Sequence, residues 1–496
     1  MKHVTVIQLG GQSLSPSDMN SGDNLTIDFI SFSRESGEKY SLAENTLGHL
    51  LNTVTHESQP EYLMIIDDRT AKIDLNGDAL DLLLLTSLRH PRWGMIYSDY
   101  AVSDATVTSD VHLLHQHPGR VRDNQDYGNV FFYHVPALMS VGGFDESLQY
   151  NTLYDIRLKL SEKHELVHIS NRYSGNLYTV HKVAAKTNVF DYLLASKDAQ
   201  LEAENVLTSH LKRIGAYLAP QQQYRTRPEA QPKPELVASI VIPVNNRPEF
   251  IATAIQSVQA QSIPAVEVIV VVNGGPDDPT IPVVREYLPG GKHYQADRPE
   301  VQLLVLQINN IGFCLNSGIL LARGEYYVQL DSDDRLKPDA VEKIQALFAS
   351  DPEIGMVIGS YEVWEKTTAG DLVRMDEIPV VTHDEWTDDN GRNNLLRING
   401  AGAPRSLPIS VIKEMGFFGM NDDPYARNYG EDYDMVLRVS EHYRIGRIWD
   451  PIYEVIRHEG GTDHSIDQQT VDRNDNAKDY MRLMAIRRRQ EQVHGK

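Results

Sequence analysis

Residues 325–334 read Glu325-Tyr326-Tyr327-Val328-Gln329-Leu330-Asp331-Ser332-Asp333-Asp334. The run from Tyr326 to Leu330 has the β-branched and aromatic character of a strand, and it passes straight into the carboxylates. Pro338 then opens a helix that the apolar spacing carries to about Phe348. Working outward, Ala238 to Pro243 (ASIVIP) and Val266 to Val272 (VEVIVVV) are apolar runs bounded by turn residues, the pattern of strands covered on both faces. Between them Ile251, Ile255 and Val258 share one helical face behind Pro248, and Val301 to Gln307 reads as a further strand. This alternation predicts an α/β unit of the doubly wound, Rossmann-like kind with a mostly parallel sheet. Such sheets bind ligands just beyond their C-terminal strand ends, which is where Asp331 to Asp334 fall.

Carboxylate oxygens are hard ligands, and Mg²⁺ or Mn²⁺ is typically held by one or two of them together with substrate phosphates. An Asp-x-Asp array at a strand end therefore suits a cation shared with a diphosphate. Taken alone, the motif also reads as a solvated turn that caps the next helix.

With 496 residues, 41% hydrophobic and 23% charged, the chain is long enough for two or three domains with cores of their own. A formal net charge of -22 disfavours nucleic acid and anionic membrane as non-specific partners, because the summed field repels phosphates. The single cysteine, Cys314, excludes an intramolecular disulfide, and the N-terminus (MKHVTVIQLGGQSLSPSD) lacks a secretory apolar stretch. The longest apolar run, Leu80 to Leu88, is far short of the roughly 20 residues that cross a bilayer. These features point to the cytoplasm, peripheral attachment at the inner face of the membrane being compatible. Arg487-Arg488-Arg489 reads as a solvated helix end.

Pro220 to Glu235 (PQQQYRTRPEAQPKPE) carries four prolines and four glutamines and no periodicity, so it reads as a linker. Before it, Asn188 to Leu218 has helical spacing with Gly215 near the C-terminal end.

The half after this linker resembles a family-2 glycosyltransferase of the GT-A fold. The matching pieces run in family order: Ser239 to Arg247, Ser257 to Ser262, Glu267 to Gly275, Asn309 to Gly312, Asn316 to Ile319, Ala322 to Glu325, Leu330 to Asp334, Gly416-Phe417, Glu431 to Arg438 and Arg457-His458. The resemblance implies that Pro243, Val244 and Asn245 line the nucleotide, with Arg247, Asn273, Asn309, Gly312 and Ser332 also on the donor side. It implies that Asp331 and Asp333 bridge ribose, diphosphate and Mn²⁺ or Mg²⁺, that His458 adds a metal contact, and that Asp432 is the general base. Glu431, Trp386 and Gly400 fall on the acceptor side. The implied partners are a nucleotide-sugar donor, a UDP-sugar foremost, and a glycan, lipid-linked or other hydroxyl acceptor, as in bacterial polysaccharide or glycoconjugate synthesis. A homo-oligomer is compatible. Inverting transfer needs one carboxylate to deprotonate the acceptor and one cation to neutralise the departing diphosphate, and both are supplied. Two departures bear on the donor: Val272 or Asn273 stands where the family usually has aspartate, and Leu315 where it commonly has Arg or Lys.

The first half reads as a worn copy. Glu61 to Arg69 resembles Glu325 to Asp334, Gly94 to Asp99 resembles Gly355 to Ser360, and Gly142 to Asp145 parallels Gly416-Phe417. Tyr154 to Leu158 parallels Tyr433 to Leu437, which sets Leu153 at the position of Asp432 and about Val183, close to His181, at that of His458. Only about 40 residues separate Ile27 from Asp67, against about 90 between Ile240 and Asp331, as if a nucleotide-binding unit were missing. Asp67-Asp68-Arg69 reads as a turn neutralised by Arg69, and His112, His115 and His117 as a polar loop. The expected organisation is two GT-A-like domains, the first truncated and degenerate. Residues 1–185 form the non-catalytic copy, 186–236 a connecting helix and Pro/Gln-rich linker, 237–470 the catalytic domain and 471–496 a C-terminal helical tail. A bifunctional polymerase using both halves and a non-catalytic nucleotide-sugar or glycan binder are the rival readings.

Overall fold

The computed structural model describes residues 2–10, 25–104, 107–171, 175–181, 197–220, 224–230, 232–367, 371–382, 391–398, 400, 402–420, 429–458 and 468–494. Trp386 and Val183 lie outside the described residues. The chain divides into two compact units, Met1–Tyr217 and Leu218–Lys496. Among the described residues no helix is long and apolar enough to cross a membrane.

In the second unit the main sheet runs, in spatial order, Glu300–Val305, Val266–Val272, Leu236–Val244, Gly324–Gln329, Arg405–Pro408, Ile354–Lys366, Arg444–Arg457 and Arg335–Leu336. The first four strands are mutually parallel, so their C-terminal ends share one edge. Arg405–Pro408 is antiparallel to both of its neighbours and carries the sheet across to the second half of the fold. Val268, Val270, Val328 and Ile240 are fully buried, as expected of strands covered on both faces by helices.

Among the described residues the first unit repeats this plan with a six-stranded main sheet. Its main sheet runs Leu25–Ser31, Lys2–Gln8, Tyr62–Ile66, Val130–His134, Trp93–Ser98 and Glu165–Ile169. Registers coincide: Val4 pairs with Tyr62 as Ala238 pairs with Tyr326, and Tyr62 pairs with His134 as Tyr326 pairs with Pro408. One local device recurs in full. The Asn52 amide donates to the Phe144 carbonyl at 2.9 Å and accepts the Phe144 N–H at 3.1 Å. Asn316 and Phe418 make the same reciprocal pair at 2.9 and 3.0 Å. Beside each pair sit two left-handed residues, Gly142-Gly143 in one unit and Gly416-Phe417 in the other.

These registers correct the sequence-based count. The first strand is Lys2–Gln8 and not the one containing Ile27, so the interval to Asp67 is about 60 residues. Lys2–Gln8 was hard to see because Thr5 and Gln8 are polar yet buried, satisfied by Ser58 and Asp68 respectively. Among the described residues the first unit lacks a counterpart of the edge strand Glu300–Val305.

Two segments differ from expectation. The stretch read as a free linker is strapped to the second unit: the Arg227 guanidinium donates to the carbonyls of Phe348, Asp351 and Ile354, and the Arg225 N–H to His442. The C-terminal helix, Gln468–His494, packs on the helix Glu431–His442. Arg488 pairs with the buried Glu441 at 2.8 Å and Arg489 is fully buried, so the Arg487 to Arg489 run is not a solvated helix end. The reason is its register on the helix, which turns Arg489 toward the Arg392 carbonyl.

Candidate active site

Strand Gly324–Gln329 ends at Asp331, and the chain turns there because Asp334 reaches back. The Asp334 N–H donates to the Asp331 carbonyl, and its buried carboxylate accepts the Ile456 N–H at 2.8 Å. Asp334 is thus the structural member of the cluster. Burial, reinforced by Asp331 and Asp333, raises its carboxyl well above the ordinary range. Buried Tyr453 accepts the Asp331 N–H at 3.1 Å, and Gln329 donates to Asp331 Oδ1 at 3.3 Å. Burial, with Asp333 and Asp432 as like charges, raises Asp331 against the pull of Arg405.

Asp333 and His458 meet directly: His458 Nε2 lies 3.0 Å from Asp333 Oδ2, with the imidazole largely buried against the Phe250 ring, centroids 4.2 Å apart. The Asp333 carboxylate is the oxygen donor that Mn²⁺ or Mg²⁺ favours, and the His458 nitrogen beside it is a second donor for a divalent cation. Among the described residues, however, no three His, Cys, Asp or Glu side chains are gathered as a complete ligand cage. Substrate phosphates usually complete such sites.

The helix Glu431–His442 starts from Gly430, whose φ of 82° is left-handed, and its first turn carries Glu431, Asp432 and Asp434. Carboxylates in a first turn are favoured by the helix dipole. Asp432 Oδ1 accepts the Tyr433 N–H at 2.7 Å and Oδ2 accepts from Arg405 Nη1 at 2.7 Å. Burial would raise this carboxyl, but Arg405, Lys478 and the backbone N–H hold it below its ordinary value. Its neighbour behaves oppositely: burial and the Asp432 charge push Glu431 up to about 8. The two adjacent acids are therefore split, one ionised and one protonated at neutral pH.

Of the residues expected on the donor side, Val244 and Asn273 are buried at the ends of adjacent parallel strands, and Pro243 is half-buried beside them. The Asn273 amide donates to Asn309 Oδ1 at 3.2 Å and to Cys314 Sγ at 3.1 Å. Asn245 is exposed; the backbone N–H of Asn246 and of Arg247 is fixed by Asp278 and Thr280. Ser332 is buried within the turn. Gly312 has a structural task of its own, since a Cβ there would overlap the Gly419 carbonyl. A Cβ at Gly400 would meet open space.

In the first unit the corresponding groups are spent. Arg69, at the position of Asp333, makes two 2.7 Å bonds to Asp67, and buried Asp68 is held by Gln8 and the Gly10 N–H. His181 pairs with Asp74 at 2.6 Å. His112 and His168 both bond Asp99, and His117 accepts the Gly119 N–H, a polar network.

Residues 239–396 match the family model described as Glycosyl transferase family 2. The second unit therefore contains a glycosyl transferase family 2 segment. Among relatives of this glycosyltransferase, chondroitin synthase of Escherichia coli is 36% identical over 121 residues, covering 24% of this chain and 16% of that protein. Hyaluronan synthase of Pasteurella multocida is 31% identical over 121 residues, covering 24% and 12%. The chain thus aligns with less than a fifth of the length of either relative. Among solved structures, S. aureus TarS 1–349 in complex with UDP-GlcNAc overlays with a TM-score of 0.37 at 18% identity, covering 47% of this chain and 62% of that one.

The candidate site gathers residues that sequence reasoning missed: Arg405, Tyr453 and Lys478. Arg405 is a lone cation ahead of Ser406-Leu407-Pro408, and only the fold carries it to Asp432.

Proposed function

We propose that the second unit transfers a sugar, with inversion, from a nucleoside-diphosphate sugar to a hydroxyl acceptor. The observation that carries this reading is the division of labour across the strand-end edge: Asp333 with His458 as a donor pair, and Asp432 as a separately held carboxylate. Asp432 takes the acceptor's hydroxyl proton, the acceptor oxygen bonds to the anomeric carbon, and the bond to the diphosphate breaks with its electron pair leaving on the phosphate oxygen. Asp333 and His458, with Asp331, would hold the divalent cation, which when bound would supply positive charge against the leaving diphosphate. Pro243, Val244, Asn245 and Asn273 face the nucleotide, a UDP-sugar foremost, and residues around Gly400 with Glu431 face the acceptor. Similarity to chondroitin and hyaluronan synthases supports a polysaccharide or glycoconjugate product.

The first unit is read as a non-catalytic copy with a role in acceptor binding, stability or dimer contacts. Its Leu153 cannot accept a proton, and Arg69 supplies internally the positive charge that the second unit would take from a cation. This disfavours the polymerase reading, in which both halves turn over.

Chelation tests the proposal: release of nucleoside diphosphate from a panel of UDP-, GDP- and dTDP-sugars should stop in EDTA and return with Mn²⁺ or Mg²⁺. Undiminished release in EDTA sinks the metal assignment, and no release from any donor with metal present favours the pure binder.

A further inference from the structure

Among the groups around Asp432, Arg405 stands apart. Its guanidinium is largely buried, 15% exposed, and among the described residues it gives one hydrogen bond, 2.7 Å to Asp432 Oδ2. Its Nε is buried with no hydrogen-bond partner among the described residues. A planar fork that leaves a buried N–H unused is held in place by charge, and Asp432, Asp331 and Glu431 are the charges around it.

The internal repeat gives an independent control. In the second unit Val328 pairs with Ser406, and in the first Met64 pairs with Phe132, so Phe131 stands at the position of Arg405. Leu153 stands at the position of Asp432. The helix register there is fixed by two matching features: Tyr154 and Tyr433 each donate to a backbone carbonyl, and Asp155–Lys159 and Asp434–Arg438 form the same ion pair. Arginine and aspartate are therefore both replaced by apolar residues in the first unit. A purely architectural arginine would have no reason to disappear along with the acid, whereas an arginine that serves the acid would be left as an unpaired buried charge.

We infer that Arg405 is a positioning residue for the transfer: it orients Asp432 and keeps it ionised, so that the carboxylate is ready to take the acceptor's proton. The inference rests on Asp432 being the base. With Oδ2 on Arg405 and Oδ1 on the Tyr433 N–H, the carboxylate is fixed at two points and still has lone pairs for the acceptor hydroxyl. The other titratable or charged groups around it are Glu431 on its own helix, Asp331 at the strand end, Tyr327 on the central strand and Lys478 on the C-terminal helix, where Arg482 lies over the ring of the adjacent Tyr433. Of these, the two acids oppose ionisation of Asp432, and Lys478 assists it. Removing Arg405 leaves burial less opposed, so the Asp432 carboxyl rises and the rate is lost at the acid side first.

The test is the pH profile of kcat/KM for nucleoside diphosphate release in the full chain, comparing wild type, Arg405→Met, Arg405→Lys and Asp432→Asn. UDP-glucose, UDP-N-acetylglucosamine, UDP-glucuronic acid and GDP-mannose serve as donors, with Mn²⁺. In Arg405→Met the acid limb should move up by about one to three pH units, with activity recovering at higher pH and donor KM unchanged. Arg405→Lys keeps the charge and loses the planar fork, so its limb should stay within about one unit of wild type while kcat falls. If Arg405→Met fails to fold, by thermal unfolding, the lysine variant decides: a limb in place with full kcat overturns the inference. So does a raised donor KM with an unmoved limb in either variant, which would place Arg405 on the diphosphate. Asp432→Asn separates the two levels. If it stays active, the base assignment has failed; if it is dead while the Arg405 variants are unaltered, only the positioning role has.

Discussion

Asn316→Ala removes both halves of a reciprocal clamp. The Asn316 side chain is buried, as is Phe418, and the truncation leaves the Phe418 N–H and carbonyl without their partners at 3.0 and 2.9 Å. An orphaned buried backbone group costs about 1–3 kcal/mol, so two amount to about 2–4 kcal/mol once some water entry is allowed. The equivalent Asn52→Ala should cost less, about 1–3 kcal/mol, because Asn52 is only half-buried and water can reach the Phe144 groups more readily. Urea unfolding should show a lower midpoint at unchanged slope for each variant. Hydrogen exchange should localise the loss to residues 311–321 in one and 47–58 in the other. If both variants unfold within about 0.5 kcal/mol of wild type, the clamp does not hold the turn, and its recurrence is no sign of a shared plan.

Other consequences follow from single features. Glu431 is protonated in the fold up to about 8, against an ordinary 4.5, so the folded state binds the extra proton in that window and stability falls as pH rises through it. Glu431→Gln should flatten that slope in thermal unfolding between pH 5 and pH 8, and an unchanged slope would deny the shift. Gly312→Ala should destabilise by about 1–3 kcal/mol through its clash with the Gly419 carbonyl, whereas Gly400→Ala should fold as wild type by calorimetry. Arg69→Ala should leave transfer untouched and cost at most about 1 kcal/mol in urea unfolding, because the Arg69–Asp67 pair is partly solvated.

Much of the site was legible because it is built from contiguous signals. Tyr326 to Asp334 reads as strand then carboxylates, and Glu431 to Leu437 as a helix start with an apolar stripe behind it. Arg405 was not legible, because its meaning lies in a partner 27 positions away across the sheet. Strand Lys2–Gln8 was obscured by buried Thr5 and Gln8, whose polarity is cancelled by contacts that sequence does not display. The C-terminal helix misled for the same reason: Arg482 and Arg489 look like surface residues, yet both are fully buried on backbone carbonyls of Leu396, Ile398 and Arg392. Polar residues satisfied by distant backbone are the common cause.

The most direct test of one catalytic centre in a two-unit chain is sugar transfer to acceptor by Asp432→Asn beside the double variant Asp67→Ala, Asp68→Ala. The account predicts a loss of about 10²–10⁴-fold in kcat for Asp432→Asn with donor binding retained, and a wild-type rate for the double variant if it folds. Near-wild-type transfer by Asp432→Asn would contradict it.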